Sequence, residues 1–185
     1  MGLELDYVEG QSPVDEDEKE GLLIKTISTK GELDEFEQIN IQQAEEWRIK
    51  TKFNTSEILS VSFILLVHKK MFNEVWKWAG RMRKTNKNIG VDKSQISIEL
   101  KKLIDDCNYW IENKTFNADE IVIRFSHRLV TIHAFPNGNG RHSRLMADIM
   151  ISNIFNKPIF YMGKNQFIKR QRYETAVFGC YLPSR

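Results

Sequence analysis

Proline is scarce in this chain, four in 185 residues, so little interrupts long helices. Cysteine is scarcer still. Cys107 and Cys180 stand far apart and in no metal-type pair, which excludes a disulfide framework and a cysteine zinc site and leaves two buried structural thiols. No run approaches the ~20 apolar residues that span a bilayer. The opening MGLELDYVEG is acidic where a secretory signal is basic, so the expected location is cytoplasmic, with no membrane partner. Internal repeats and low-complexity tracts are also missing. The net charge is only +2, too little to argue for nucleic-acid binding.

What is there suits one domain with a short appendage. Hydrophobic residues at 41% and charged residues at 28% are globular values, and this length can bury a single core. The charge is uneven. Residues 1–20 hold eight acids against Lys19 alone, a net −7, which leaves +9 on the other 165 residues of a chain whose total is +2. A basic body favours an anionic ligand, while the acidic leader is read as a solvated segment.

Most of the chain reads as helix. From about Glu32 to Arg48, Leu33, Phe36, Ile39, Ile41 and Ala44 recur at near-helical spacing. Asn54 and Glu57 resemble a capping box, and Leu59, Phe63, Leu66 and Met71 extend a buried helix to about Trp78. Between Trp78 and Ser94 the pattern stops, which predicts a loop or small hairpin. Helical spacing returns with Ile96, Leu100, Leu103, Ile104 and Trp110, then after Asp119 with Ile121, Phe125, Leu129 and Ile132. Another helix is expected from Gly140 to Phe155, bounded by Pro158, and a last one from Asn165 to about Val177.

One connection carries chemistry. His133-Ala134-Phe135-Pro136-Asn137-Gly138-Asn139-Gly140-Arg141-His142-Ser143-Arg144 leads out of one apolar helix into the next. Gly138 and Gly140 let consecutive N–H groups converge at a helix N-terminus, a geometry that cradles phosphate. Arg141 and Arg144, three apart, add planar bidentate donors on the same side. His133 at the mouth of the loop can take a proton from a hydroxyl near neutral pH. Each residue type also has an ordinary use, as a cap, a turn or a solvated charge, and Phe135 is a core anchor under either reading. Their joint occurrence in twelve residues distinguishes this segment.

The segment resembles the Fic signature, His-x-Phe-x-(Asp/Glu)-Gly-Asn-Gly-Arg-x-x-Arg, at seven of its eight specified positions. Val75 to Arg83 is similar to the stretch that leads into that family's target-docking flap. The resemblance covers roughly residues 30–175, and the length and the acidic run Asp15 to Leu22 are most similar to the mobile mystery protein B subgroup. It implies an all-α fold, a helical bundle with a small β-hairpin flap, organised as a leader (1–30), a Fic domain (31–178) and a short tail (179–185). It also implies transfer of AMP from ATP to a Ser, Thr or Tyr hydroxyl of a target protein. His133 would be the general base. The Gly138, Asn139 and Gly140 amides would hold the leaving diphosphate, Asn139 and Arg141 would orient the phosphates, and Arg144 would bind the terminal one. The flap, Lys84, Thr85, Asn86, Lys87, Asn88, Ile89 and Gly90 up to Val91, would align the target by strand-like pairing.

The chain departs from the signature at Asn137, where the family places the carboxylate that binds Mg²⁺. A neutral amide holds a hard cation less tightly, so weak or altered activity is expected. A catalytically impaired domain that binds a nucleotide or a protein is the competing reading. A nucleic-acid module built on the basic flap is a third, disfavoured by the lack of aromatic interleaving or zinc spacing. By resemblance, a small helix-turn-helix protein is a candidate partner, and no direct contact with nucleic acid is expected. No full match to the family's inhibitory (Ser/Thr)-x-x-x-Glu-(Gly/Asn) motif is present.

Overall fold

The computed structural model describes residues 19–159, and these form a mostly helical body. The helices are α1 (Lys30–Lys50), α2 (Thr55–Ile58), α3 (Val61–Phe72), α4 (Ile96–Glu112), α5 (Ala118–Ile132) and α6 (Asn139–Asn153). A 3₁₀ turn, Lys93–Gln95, precedes α4. The expected helix Asn165–Val177, the tail, Cys180 and the acidic residues before Lys19 lie outside the described residues.

Helix starts follow side-chain oxygen. Thr29 and Glu32 form a reciprocal capping box on α1, and Asn54, Ser60 and Asn117 each accept an N–H of the first turn of α2, α3 and α5. Ser60 explains why the helix expected from Asn54 to Trp78 is broken. Its hydroxyl accepts the Phe63 N–H at 3.1 Å, starting a new helix after Leu59 caps the short α2. That helix ends at Phe72, because the next segment pairs elsewhere. Leu22 and Trp76 form an isolated antiparallel bridge, with Leu23 N–H donating to Val75 O and Lys77 N–H to Gly21 O.

Burial corrects two expected faces. On α1 the inward line is Leu33, Glu37, Asn40 and Ala44, whereas Phe36 and Ile39 are exposed. Leu66 on α3 is also exposed, and Ile64, Val67 and His68 take the core. The later helices agree with their spacing: Leu100, Leu103, Ile121, Phe125, Leu129, Leu145, Met146, Ile149 and Met150 are all buried. Leu22 and Ile27, within the expected leader, are buried too.

α5 packs between α4 and α6, and α3 between α1 and α6, so the α5–α6 connection opens where the layers meet. Between Met82 and Val91 the chain forms bends without a hairpin ladder. Among the described residues no helix is long and apolar enough to cross a membrane.

Cys107 is buried as expected, and burial pushes its thiol up to about 12. Phe125→Ala, which empties a fully buried site on the central helix, should cost about 3–5 kcal/mol of unfolding free energy in urea titration.

Candidate functional site

The α5–α6 connection is built on two left-handed residues. His133 ends α5 at φ 55°, ψ 56°, a conformation that costs a non-glycine residue on the order of 1–2 kcal/mol. Helices usually place glycine there. Gly138 begins α6 at φ 77°, and a Cβ on it would meet the Phe72 ring at 2.5 Å.

Between them the chain turns inward. Phe135 is fully buried, stacked on His68 at 3.7 Å with its edge region against His142. Asn139 fixes this turn through both ends of its amide: Oδ1 accepts the Phe135 N–H at 3.0 Å and Nδ2 donates to Phe135 O at 2.9 Å. The Asn139 side chain therefore holds the loop, and what it presents outward is backbone. α6 has no side-chain cap, so the N–H groups of its first turn have no such acceptor. A Cβ on Gly140 would meet nothing within 4 Å. Open space thus lies beside an uncapped helix N-terminus.

Three histidines support or occupy the site, and burial lowers the proton affinity of each. His68 Nδ1 accepts the Gly80 N–H at 3.0 Å, so its Nε2 carries the proton and donates to Asn137 O at 3.1 Å. His142 donates from Nε2 to Ile64 O at 2.9 Å and is pushed from its ordinary 6.5 to about 4. His133 is lowered first by desolvation, then by the Arg83 and Lys87 charges, against a hydrogen bond with the Val130 backbone. It is neutral at pH 7. Placed at the mouth of the loop by its sequence position, His133 is nevertheless only 7% exposed; Gly90 lies against it, so close that a Cβ there would come within 2.6 Å of His133 Cβ.

Arg83 makes that closure. Sequence reading counted it as one more basic flap residue, yet it is buried, and it ties both ends of the flap to the loop. Its Nε donates to His133 O at 2.7 Å, Nη1 to Thr85 O at 2.7 Å and Nη2 to Val91 O. The Arg83 N–H donates to Ala134 O, and the Val91 N–H to Ile132 O. The flap's far end is pinned by Asn86, which bonds Asp92 and the Lys93 N–H. Lys84, Asn88, Ile89 and Gly90 are exposed, and Thr85 and Lys87 partly so.

Arg141 and Arg144 diverge in their surroundings. Arg141 lies 4.9 Å over the Phe72 ring and donates from Nη1 to Glu37 Oε2 at 2.6 Å. Glu37 is buried and 104 residues away in sequence; nothing in the spacing marks it. Arg144 is exposed on the next turn. Asp148, four residues on, is pushed up to about 6 by burial, opposed by the charges of Arg48 and Arg144.

Asn137 Oδ1 accepts the Gly138 N–H at 2.5 Å. Among the described residues no three His, Cys, Asp or Glu side chains converge as a metal group, so position 137 offers one neutral, already bonded oxygen. That donor set does not fit a protein-held magnesium ion.

The loop thus brings to one helix end open space over Gly140, an N-terminus with no side-chain cap, two arginines and an imidazole of lowered proton affinity. Residues 58–151 match the Fic/DOC family, and the chain belongs to that family. It is 24% identical over 137 residues to the protein adenylyltransferase Fic of Nematostella vectensis, spanning 72% of this chain and 32% of that one. The chain thus spans about a third of that relative's length. It resembles BepC, a VirB-translocated effector protein from Bartonella tribocorum solved with AMPPNP, with TM-score 0.61 and 18% identity, covering 89% of this chain and 92% of the other. The N-terminal Fic domain of a putative cell filamentation protein from Bartonella quintana superposes with TM-score 0.65 at 17% identity, over 84% and 78%. At these identities the likeness is one of fold.

Arg83→Met keeps the stem and removes the hydrogen bonds that hold the flap. Amide hydrogen exchange over residues 84–91 should quicken by at least roughly tenfold, since three bonds of about 1 kcal/mol each are lost. His142→Gln tests the neutral cluster. A depressed histidine stabilises above pH 6.5 and loses that contribution as pH falls toward 4. Between those limits the variant's stability should fall less steeply, by up to about 1.4 kcal/mol per pH unit; Asp148, of opposite sign, is common to both proteins. Equal slopes would mean that His142 is charged in the native protein.

Proposed function

We propose that this protein transfers AMP from ATP to a hydroxyl side chain of a target protein. The observation that carries the reading is His133, held neutral in a left-handed turn beside the uncapped N-terminus of α6. Residues held in sparsely populated backbone conformations cluster at functional sites, and this one carries a titratable ring.

The chemistry follows from the arrangement. With one imidazole nitrogen bonded to the Val130 backbone, the other is the acceptor in the neutral ring. It takes the proton as the target oxygen bonds to the α-phosphorus, while the α–β anhydride bond breaks and pyrophosphate leaves. The first-turn amides at Asn139 and Gly140 hold the departing phosphates, with the Gly138 N–H joining them once it leaves Asn137 Oδ1, and Gly140 lets them approach the backbone. Arg141 and Arg144 neutralise the charge on the leaving group, Arg144 at its terminal phosphate. The latched flap offers Lys84 to Gly90 as an edge for the target backbone. A helix-turn-helix partner, from the subgroup resemblance, belongs to this reading as a candidate for regulation.

The test is labelled ATP, GTP, CTP and UTP incubated with the protein and cell lysate, read as label on protein. His133→Ala should lower labelling about 10²–10⁴-fold with nucleotide binding kept. Arg144→Ala should weaken nucleotide binding more than Arg144→Lys, which keeps the charge and loses the two-pronged geometry. ATP binding by the parent without any label transfer would replace the transferase with a nucleotide-binding module, the reading that Asn137 favours.

A further inference from the structure

Helix α1 lies outside the segment that matches the family, yet it sends one charged side chain into the site. Glu37 on α1 is 4% exposed. Both of its oxygens are used: Oε1 accepts the Trp76 indole N–H at 2.7 Å and Oε2 accepts Arg141 Nη1 at 2.6 Å. Trp76 is itself fully buried and stacked on Trp78 at 4.8 Å, so the carboxylate is set by a rigid group rather than by solvent.

From these contacts we infer that Glu37 is a positioning residue of the site, holding the Arg141 guanidinium in place for an anionic phosphate chain. This rests on the nucleotide-binding reading above. The guanidinium is confined on two sides, by Glu37 at Nη1 and by the Phe72 ring beneath it. The same ring limits Gly138, so the position of Arg141 and the path of the glycine loop share one neighbour. Glu37 engages one of the two terminal nitrogens, which leaves Nη2 outside that ion pair.

Holding the arginine has two opposed consequences. An arginine ordered in advance loses less rotamer freedom when an anion binds. The carboxylate also offsets part of its charge, and removing it would strengthen a bare charge attraction. Geometry wins here because Glu37 is buried behind the arginine, shielded from the open side, and because planar bidentate contact depends on orientation.

Asn40 belongs to the same seam. Its Nδ2 donates to Lys70 O at 3.1 Å and its Oδ1 accepts the Glu74 N–H at 3.0 Å. It fastens α1 to the end of α3 one turn from Glu37, and so fixes the register in which Glu37 meets Arg141. Together Glu37 and Asn40 explain why the inward face of α1 carries polar residues where an apolar stripe was expected.

The experiment is a double-mutant cycle on ATP affinity, using Glu37→Ala, Arg141→Ala and the pair, with Glu37→Gln beside them. In Gln an NH₂ replaces one of the two oxygens, so in the Glu37 pose either Trp76 or Arg141 meets a donor in place of its acceptor. Glu37→Ala should weaken ATP binding roughly tenfold in the parent background and not at all once Arg141 is gone. An equal loss in both backgrounds, or an unchanged affinity, overturns the inference. Tighter ATP binding also overturns it, by making Glu37 a competitor for the arginine. Should Glu37→Ala fail to fold, Glu37→Gln runs the same cycle. A second readout needs no nucleotide: ¹⁵N spectra of the Arg141 guanidinium should show hindered rotation in the parent and free rotation in the Glu37 variant. A parent that does not bind ATP refutes the nucleotide reading alone, and the Arg141 spectra still decide the role of Glu37.

Discussion

The site depends on one reversal of the chain between two packed helices, made by His133 and Gly138 in the left-handed region. α5 must stop and α6 must start within a few residues while both remain against the same core. The inward turn buries Phe135, and its backbone would lose hydrogen bonds to water if Asn139 did not supply both a donor and an acceptor. With that amide in place, the polar cost is met inside the turn, and the next N–H groups of α6 point outward. The anion-binding end of α6 is thus a by-product of how the turn satisfies itself.

Beneath the loop the protein uses histidine where an aliphatic residue would pack. His68 stacks on Phe135, bonds the loop at Asn137 and accepts from Gly80, so one neutral ring joins α3, the loop and the approach to the flap. A charged ring could not do this, since the Gly80 N–H requires a lone pair. His142 repeats the logic on α6. The low proton affinity of both rings is the condition for the packing, and it keeps positive charge beneath the loop confined to the arginines.

Much of this was legible in sequence. Helical periodicity located α4, α5 and α6, where most buried residues are apolar, and the His133–Arg144 segment stood out as a candidate site through residue types at fixed spacing. Periodicity failed on α1, because Glu37 and Asn40 are buried for their hydrogen bonds while Phe36 and Ile39 face outward. It failed at Ser60 as well, since apolar residues on both sides of the break lie on a plausible helical line. A basic flap residue and a buried clamp look alike in one dimension: what sets Arg83 apart from Lys84 is above all its bond to the His133 carbonyl fifty residues away. Contacts of that range leave no local pattern.

The flap and α1 each act on the loop and its helix through one buried charged side chain. Arg83 draws the flap down on His133 by bonding three backbone carbonyls, which carry no net charge, so its own positive charge persists beside the imidazole and adds to burial, the larger cause, in lowering its proton affinity. Glu37 meets a cation instead, so its charge is matched in an ion pair whose other member faces the open space. Exchanging the two signs would fail on both sides. A carboxylate at position 83 has no donor for the carbonyls, and a cation at position 37 would repel Arg141 and leave the Trp76 N–H without an acceptor. The signs of these two buried charges are therefore fixed by the backbone on one side and by the arginine on the other, which ties segments outside the signature to its chemistry.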